Sequence, residues 1–228
     1  MGEKDVVPLE RNESIIDYQI LTPSSSGIDS FADIINSEWG NFFPLNKYIF
    51  SKRLESGHLF IGAYQNNRPA GILETISLNI EESKEVLMKP VKERAREVCS
   101  KIKGYDSLTN FGEWTHFSGY PNVLVLVDIT VDPLNRKTSV ASGIVDFGKF
   151  FMLNPEKRPV QMDCTEYVVT LTPNITPVKR WHERLGAFDT ELVLENARPN
   201  YKVPDVNFMC YLAPHYKPSL GQQLGKAA

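Results

Sequence analysis

A turn with two cations leads into a run of small residues at 131–142, which reads VDPLNRKTSVAS. It follows an almost uninterrupted apolar run, NVLVLVDIT at 122–130, and a helix is predicted from about 138 to 152. The first amides of a helix lack acceptors within the helix and carry the positive end of its dipole. With the charges of Arg136 and Lys137 they can hold a diphosphate. A strand, a turn and a capped helix without any ligand explain the same residues equally well.

A second segment with candidate chemistry, NITPVKRWHERLGAF at 174–188, follows the next predicted strand. It predicts a helix over 176–186, with Thr176 as its cap, Pro177 in its first turn and Gly186 at its end. This helix carries His182, and imidazole groups, with an unperturbed pKa of about 6.5, transfer protons readily near neutral pH. The alternative is that His182 only packs or faces solvent on an amphipathic helix.

Four side chains are candidates for a general base, which would take a proton from a nucleophile. Asp128 lies in the apolar run, where a carboxylate must face a cleft or have a partner. Glu74 lies in a predicted hairpin strand, and Glu113 and His116 lie in the Gly- and aromatic-rich stretch 104–121. Each has a plainer interpretation, as an ion-paired carboxylate for the first two and as a loop residue for the others.

The cysteine and histidine pattern does not support metal or disulfide chemistry. The four histidines are scattered without a zinc-binding spacing, and no CxxC occurs. Cys99, Cys164 and Cys210 are far apart, which favours reduced and mostly buried thiols. No metal site is therefore predicted.

The composition is that of a globular domain with a slight acidic balance. A chain of 228 residues can build one sizeable core. The net charge of -3 argues against general binding to nucleic acid or to anionic membranes. Neither a signal peptide nor an apolar run of about 20 residues, as a membrane span needs, is apparent. We therefore expect a cytoplasmic protein.

Strand and helix patterns alternate along the chain and predict the elements that must position these side chains. Strands are predicted at 15–21, 58–64, 68–78, 122–131, 165–172, 188–195 and 206–213, the second and third joined by an Asn-rich hairpin turn. Helices are predicted over 28–55 with a break at GNFFPLN, and over 81–103, 138–152 and 176–186. The run 122–131 is the most apolar and is expected to be central. The pattern indicates one mixed α/β or α+β domain.

Taken together, in this order and at this spacing, the two segments resemble the GNAT superfamily of acetyl-CoA-dependent N-acyltransferases. The family pattern of Val-x-Pro and then Arg/Gln-x-x-Gly-x-Gly/Ala is matched by Val131-Asp132-Pro133 and Arg136-Lys137-Thr138-Ser139-Val140-Ala141. The second motif is matched by Asn174 and His182-Glu183-Arg184-Leu185-Gly186, with Phe188 one place late. Ser139 departs from the usual Gly, and His182 stands where the family has Tyr, with Trp181 before it.

The resemblance, which covers roughly 15–213, implies an α/β (α+β) fold with a mixed, mostly antiparallel central sheet of about 6–7 strands and helices on both faces. One domain is expected over 1–217, with a larger insert than usual at 81–121 and a disordered tail at 218–228. Closing strands of this family often pair, so the resemblance also implies that two copies can form a homodimer.

The resemblance further implies that the bound phosphates belong to coenzyme A and that its pantetheine arm pairs with the backbone of the central strand. The implied cofactor-binding residues are Ile129, Thr130, Val131, Arg136, Lys137, Thr138, Ser139, Val140, Ala141, Ser142 and Asn174. An amide near Ile129 would stabilise the oxyanion, His182 would protonate the leaving thiolate, and Asp128 or Glu74 would act as base.

The implied reaction is transfer of an acetyl or short acyl group from acyl-CoA to an amine of a small molecule or peptide, by direct attack in a ternary complex. The alternative is a degenerate domain that binds acyl-CoA as a sensor or interaction module without turnover. Ser139 and the missing Tyr motivate that alternative.

Overall fold

The computed structural model describes residues 15–39, 46–78, 80, 82–103, 123–136, 138–153, 167–196 and 202–212. They form one mixed sheet in the order β1-β2-β3-β4-β5-β7-β6. The strands are β1 Ile16–Ile20, β2 Leu59–Gln65, β3 Arg68–Leu78, β4 Val123–Val131, β5 Tyr167–Pro173, β6 Phe188–Leu194 and β7 Val206–Leu212. Only β4 and β5 run parallel among these neighbours, so the predicted mixed and mostly antiparallel sheet is confirmed.

Six α-helices accompany the sheet in the described part of the chain. They are α1 Ile28–Trp39, α2 Lys47–Glu55, α3 Lys84–Leu87, α4 Val91–Lys103, α5 Val140–Leu153 and α6 Thr176–Arg184, and a 3₁₀ turn at Pro133–Asn135 precedes α5. Among them, no helix is long and apolar enough to cross a membrane.

Two predictions about the helices were wrong, one about the continuity of a helix and one about a cap. The single helix over 81–103 is divided into α3 and α4, because Pro90 has no backbone N–H and disfavours helical geometry in the residue before it. In α6 the N-cap position belongs to Ile175, which makes no side-chain cap bond, and Thr176 is already helical. Gly186 adopts a φ of 95° just after that helix, as expected of a glycine that ends it.

The helices cover both faces of the sheet. On one face of β3, Ile72 packs in an apolar cluster with α1 and α2, and Ile76 and Leu78 pack in a second cluster with α4. The other face carries Leu73, which packs in a third cluster with α5 and partly buried side chains of α6. Successive side chains of a strand point to opposite faces, so β3 contributes to the apolar layers on both sides of the sheet.

The hairpin between β2 and β3 turns at Asn66 and Asn67, as the sequence predicted. Both residues have positive φ, 52° and 61°. A two-residue hairpin turn of type I′ needs positive φ at both central residues, and asparagine tolerates this conformation better than most residues. The turn therefore fixes the pairing of β2 with β3, which begins at Gln65 and Arg68.

A β-bulge lies in the middle of β4. Glu74 of β3 is paired with Asp128, but the next residue of β3, Thr75, is paired with Leu126. Val127 is therefore an extra residue in β4, and a bulge of this kind bends the strand and increases its twist.

The bulge reverses the alternation of side chains along β4. Leu126 belongs to the cluster that faces α5, and so do Ile129 and Val131, although strict alternation would put them on opposite faces. Asp128 and Thr130 consequently point to the face covered by α1.

Beyond the bulge, β4 and β5 separate. Their parallel pairing covers only residues 123–126 of β4 and 167–170 of β5. The rest of β5 continues along β7 as far as the pair Pro173 and Val206. Among the described strands, the end of β4 after the bulge is therefore paired with β3 on one side only and is separated from β5 on the other.

Candidate acyl-CoA site

A cleft of about 450 Å³ fills the gap where β4 and β5 separate. Residues 129–131 form the wall on the β4 side, and Pro173 and Ile175 form the wall at the end of β5. Val203, just before β7, adds another apolar side chain. The cleft thus combines largely apolar walls with the split edge of a β-strand.

The N-terminus of α5 lies at one end of the cleft, which Ala141 lines. The carbonyl of Ser139 accepts the first helical bond, from the amide of Gly143 at 2.9 Å. The amide of Val140 donates to Thr138 Oγ1 at 3.3 Å. The next two amides, of Ala141 and Ser142, belong to the first turn, where a helix offers no internal acceptor. This end of the cleft therefore suits an anion.

Ser139 does not strain the turn where the family has glycine. The described non-glycine residues with positive φ are Asn66, Asn67, Glu191 and Asn196, so Ser139 has an ordinary backbone conformation. The conformational reason to require glycine is absent at this position.

Two glycines seat α5 closely against the sheet. A Cβ added to Gly71 of β3 would lie 2.8 Å from Val140 Cγ1, and one added to Gly143 would collide with the hydroxyl of Tyr18. Burial, helped by the charge of Asp146, raises the pKa of that tyrosine to about 12. Tyr18 therefore stays neutral at physiological pH and acts as a fixed spacer between β1 and α5.

An ion pair crosses the mouth of the cleft. Arg136, in the turn before α5, contacts Glu38 in the last turn of α1, and their side chains are 51% and 40% exposed. Lys202 also lines the cleft. Lys137, the second predicted cation, lies outside the described residues.

The candidate bases Asp128 and Glu74 are directly opposite each other on β4 and β3. Residues paired in this way point to the same face, here the face of α1. Asp128 accepts a hydrogen bond from Thr130 Oγ1, which lies 2.9 and 2.8 Å from its two carboxylate oxygens. Because Thr130 lines the cleft, it connects Asp128 to the cleft wall.

Glu74 forms the centre of a buried charged group that the sequence did not reveal. Its Oε2 lies 2.9 Å from Arg53 Nη1 and its Oε1 lies 2.7 Å from His58 Nδ1. The three side chains are 2%, 6% and 0% exposed. One signal was present in the sequence, because Phe50 and Arg53 are three residues apart in α2 and share its buried face.

His182 is buried and is not one of the described residues that line the cleft. Its Nδ1 lies 2.6 Å from the hydroxyl of Tyr211 on β7, and Trp181 meets its ring edge-on. Asn174 is the other residue predicted from the second motif. Its backbone N–H donates to the backbone carbonyl of Asp205 at 3.0 Å.

The remaining predicted site residues are only partly covered by the structure. Glu113, His116 and Cys164 lie outside the described residues, whereas Cys99 and Cys210 are buried. Among the described residues, no three His, Cys, Asp or Glu side chains come together in a way that could hold a metal ion.

Comparison with known proteins identifies the fold. No family model and no curated protein matches the sequence. A GNAT-like decarboxylase, GphF, solved with isobutyryl-CoA, superposes with a TM-score of 0.58 and 13% identity, covering 86% of this chain and 99% of that one. The loading GNATL domain of CurA from Lyngbya majuscula gives 0.56 and 11%, covering 88% and 99%. Aminoglycoside 6'-acetyltransferase type Ii gives 0.51 and 10%, covering 86% and 97%.

These similarities show that the chain has the GNAT fold, as the motifs predicted. The fold accounts for the strand order, the single parallel pair and the gap beside β4. At these identities the comparisons establish the architecture alone.

Proposed function

We propose that the protein binds acyl-CoA in the cleft between β4 and β5 and transfers its acetyl or short acyl group to an amine. The observation that carries this proposal is the meeting of a split strand edge and a helix N-terminus in one cleft. A ligand with an amide-bearing arm and a diphosphate at its end would use both features.

The arm of the ligand would bind along β4. Half of the backbone N–H and C=O groups of a strand point to each neighbour, and after the bulge β4 is paired with β3 alone among the described strands. The pantetheine amides can pair with these groups as an added strand would. Because the contacts are to backbone, Ile129, Thr130 and Val131 need only favour an extended conformation.

The diphosphate would bind at the start of α5. The amides of Ala141 and Ser142 and the guanidinium of Arg136 offer charge-assisted hydrogen bonds there. The small side chain of Ala141 leaves room for the phosphate to approach the helix. Lys137 is predicted to add a second cation.

The reaction would proceed by attack of the neutral amine on the thioester carbonyl. The C–N bond forms, the C–S bond breaks and the CoA thiolate leaves with a proton, while a β4 amide near Ile129 stabilises the developing oxyanion. Of the candidate bases that the structure describes, Asp128 is the better placed, because it is hydrogen-bonded to Thr130 in the cleft wall whereas Glu74 is paired with Arg53 and His58.

A second candidate function is binding of acyl-CoA without transfer. Two of the three predicted catalytic side chains are engaged elsewhere, His182 with Tyr211 and Glu74 with Arg53. The contact of His182 favours its packing role over the predicted role as the acid that protonates the thiolate. A protein with these features could sense acyl-CoA through the same cleft.

Calorimetric titration with acetyl-CoA tests the binding step, with Ala141→Glu as the informative variant. A carboxylate at the start of α5 would repel the diphosphate, so we expect at least a tenfold loss of affinity, about 1.4 kcal/mol. Ser100→Glu is the matched control, because it adds the same charge at an exposed position of α4, on the opposite face of the sheet.

Absence of acetyl-CoA binding to the folded parent would overturn both candidate functions. An equal loss of affinity in Ala141→Glu and Ser100→Glu would show that the diphosphate does not bind at the start of α5. A second assay separates the two functions. Release of free CoA thiol in the presence of an amine panel requires transfer, whereas a sensor would bind acetyl-CoA and release none.

A further inference from the structure

We infer that the acceptor carries a second cationic group beside the amine that reacts, and that Glu38 is the residue that selects it. The inference rests on the proposed function, since it concerns the second substrate of the same cleft. It is carried by the ion pair between Glu38 and Arg136 at the cleft mouth.

The ion pair places Glu38 in competition with the diphosphate. Arg136 lines the same cleft as Ala141, where the phosphates would bind, and its guanidinium already contacts Glu38. Since both side chains are about half exposed, solvent screens the pair and it contributes little to stability. A ligand with two phosphate charges and two amide contacts would readily take over the guanidinium.

The charges that line the cleft change sign when phosphates arrive. The charged residues among the described lining are Arg136, Lys202 and Glu38, which sum to one positive charge. A bound diphosphate adds about two negative charges, so the mouth would then carry a net negative charge. Among the described residues that line the cleft, Glu38 is the one with a carboxylate. The mouth would therefore repel further anions and attract cations after acyl-CoA has bound, which implies that the amine binds second.

The charge that Glu38 attracts cannot be that of the reacting nitrogen. An amine attacks a thioester only as the neutral base, so at the moment of reaction it offers the carboxylate no positive charge. A second ammonium group, separated from the first by methylenes, can stay charged and bind Glu38. The apolar side chains of Ile129, Ile175 and Val203 suit the methylene linker.

A matched pair of amines tests this inference by binding alone. The protein is first saturated with coenzyme A and then titrated calorimetrically with 1,4-diaminobutane or with butylamine, which has the same carbon chain and one charge fewer. We expect the diamine to bind at least tenfold more tightly. Glu38→Gln should abolish that preference and bind coenzyme A as tightly as the parent or more tightly, because the competitor for Arg136 is removed.

Asp33→Asn is the control, since it removes one negative charge at an exposed position of the same helix that does not line the cleft. It should retain the preference for the diamine. Equal or undetectable binding of the two amines to the coenzyme A complex, or a preference that survives in Glu38→Gln, would overturn the inference. Failure of coenzyme A itself to bind would instead overturn the proposed function.

Discussion

Replacement of Arg53 by methionine should destabilise the protein strongly. Methionine has a similar length and suits the apolar surroundings, but it leaves the carboxylate of Glu74, 2% exposed, without the guanidinium 2.9 Å away. Removal of one partner from a buried ion pair typically costs about 3–5 kcal/mol. Because His58, 2.7 Å from the other carboxylate oxygen, would remain as a partner of Glu74, we expect a loss toward the lower end of that range. The total stability of a domain is only about 5–15 kcal/mol, so a substantial fraction would be lost.

Lys52→Met provides a control one residue away. Lys52 also pairs with a glutamate, Glu55 at 3.1 Å, but these side chains are 55% and 65% exposed. Exposed pairs of this kind are screened by water and contribute little. The two variants remove the same charge from adjacent positions of α2 and differ mainly in burial.

Urea unfolding of both variants, with free energies from linear extrapolation, measures the difference. The double variant Arg53→Met/Glu74→Leu should recover part of the loss, because apolar replacement of a buried pair is often neutral or stabilising, although it also removes the contact of His58 with Glu74. The reasoning would be refuted if Arg53→Met lost no more stability than Lys52→Met. The ion pair with Arg53 would then contribute little to stability, and Glu74 would become a stronger candidate for the base.

Three further predictions concern the seating of α5 and the outer strands. Gly143→Ala should cost about 1–3 kcal/mol in urea unfolding despite the better helix propensity of alanine, and should weaken acetyl-CoA binding, because the new methyl group displaces Tyr18 or the helix. An absorbance titration should show Tyr18 ionising near its pKa of about 12. Because folding raises this pKa from 10.0, the contribution of Tyr18 to the free energy of unfolding is present below pH 10.0 and is lost as the pH rises toward 12. For Asp189, burial raises the pKa, but hydrogen bonds from Lys179 and Asn207 outweigh it and lower the pKa below 3.8, so its stabilisation is present above pH 3.8 and is lost below it. Lys179→Met should therefore show a smaller loss of stability than the parent between about pH 7 and about pH 3, and an unchanged loss would contradict this assignment.

Most of the fold could be predicted from the sequence because its determinants are local. Apolar runs bounded by turn residues located the strands, and Asn66 and Asn67 defined the hairpin turn. The division at Pro90 was also signalled locally and was missed. The bulge at Val127 was not predictable, because a strand that is apolar on both faces has no alternation that an extra residue could interrupt.

The residues that line the candidate cleft could be predicted where backbone and chain order place them, and not where distant side chains meet. Five of the predicted cofactor-binding residues line the cleft, namely Ile129, Thr130, Val131, Arg136 and Ala141. In contrast, the partners of Glu74 and His182 come from other elements, 21 residues away for Arg53 and 29 for Tyr211. Pairs this far apart in sequence depend on the packing of the whole domain, which a single sequence does not reveal.

The bulge at Val127 decides which side chains of β4 reach the cleft wall. If β4 kept its length but paired with β3 without a bulge, strict alternation would turn the residues after Val127 over. Asp128 and Thr130 would then point into the apolar layer beneath α5, and Ile129 would leave it. Deletion of Val127 itself would instead leave Asp128, Ile129 and Thr130 on their present faces and remove only the local bend and twist. Evolution can therefore vary the residue types of this strand, and even its length at the bulge, without turning its side chains over.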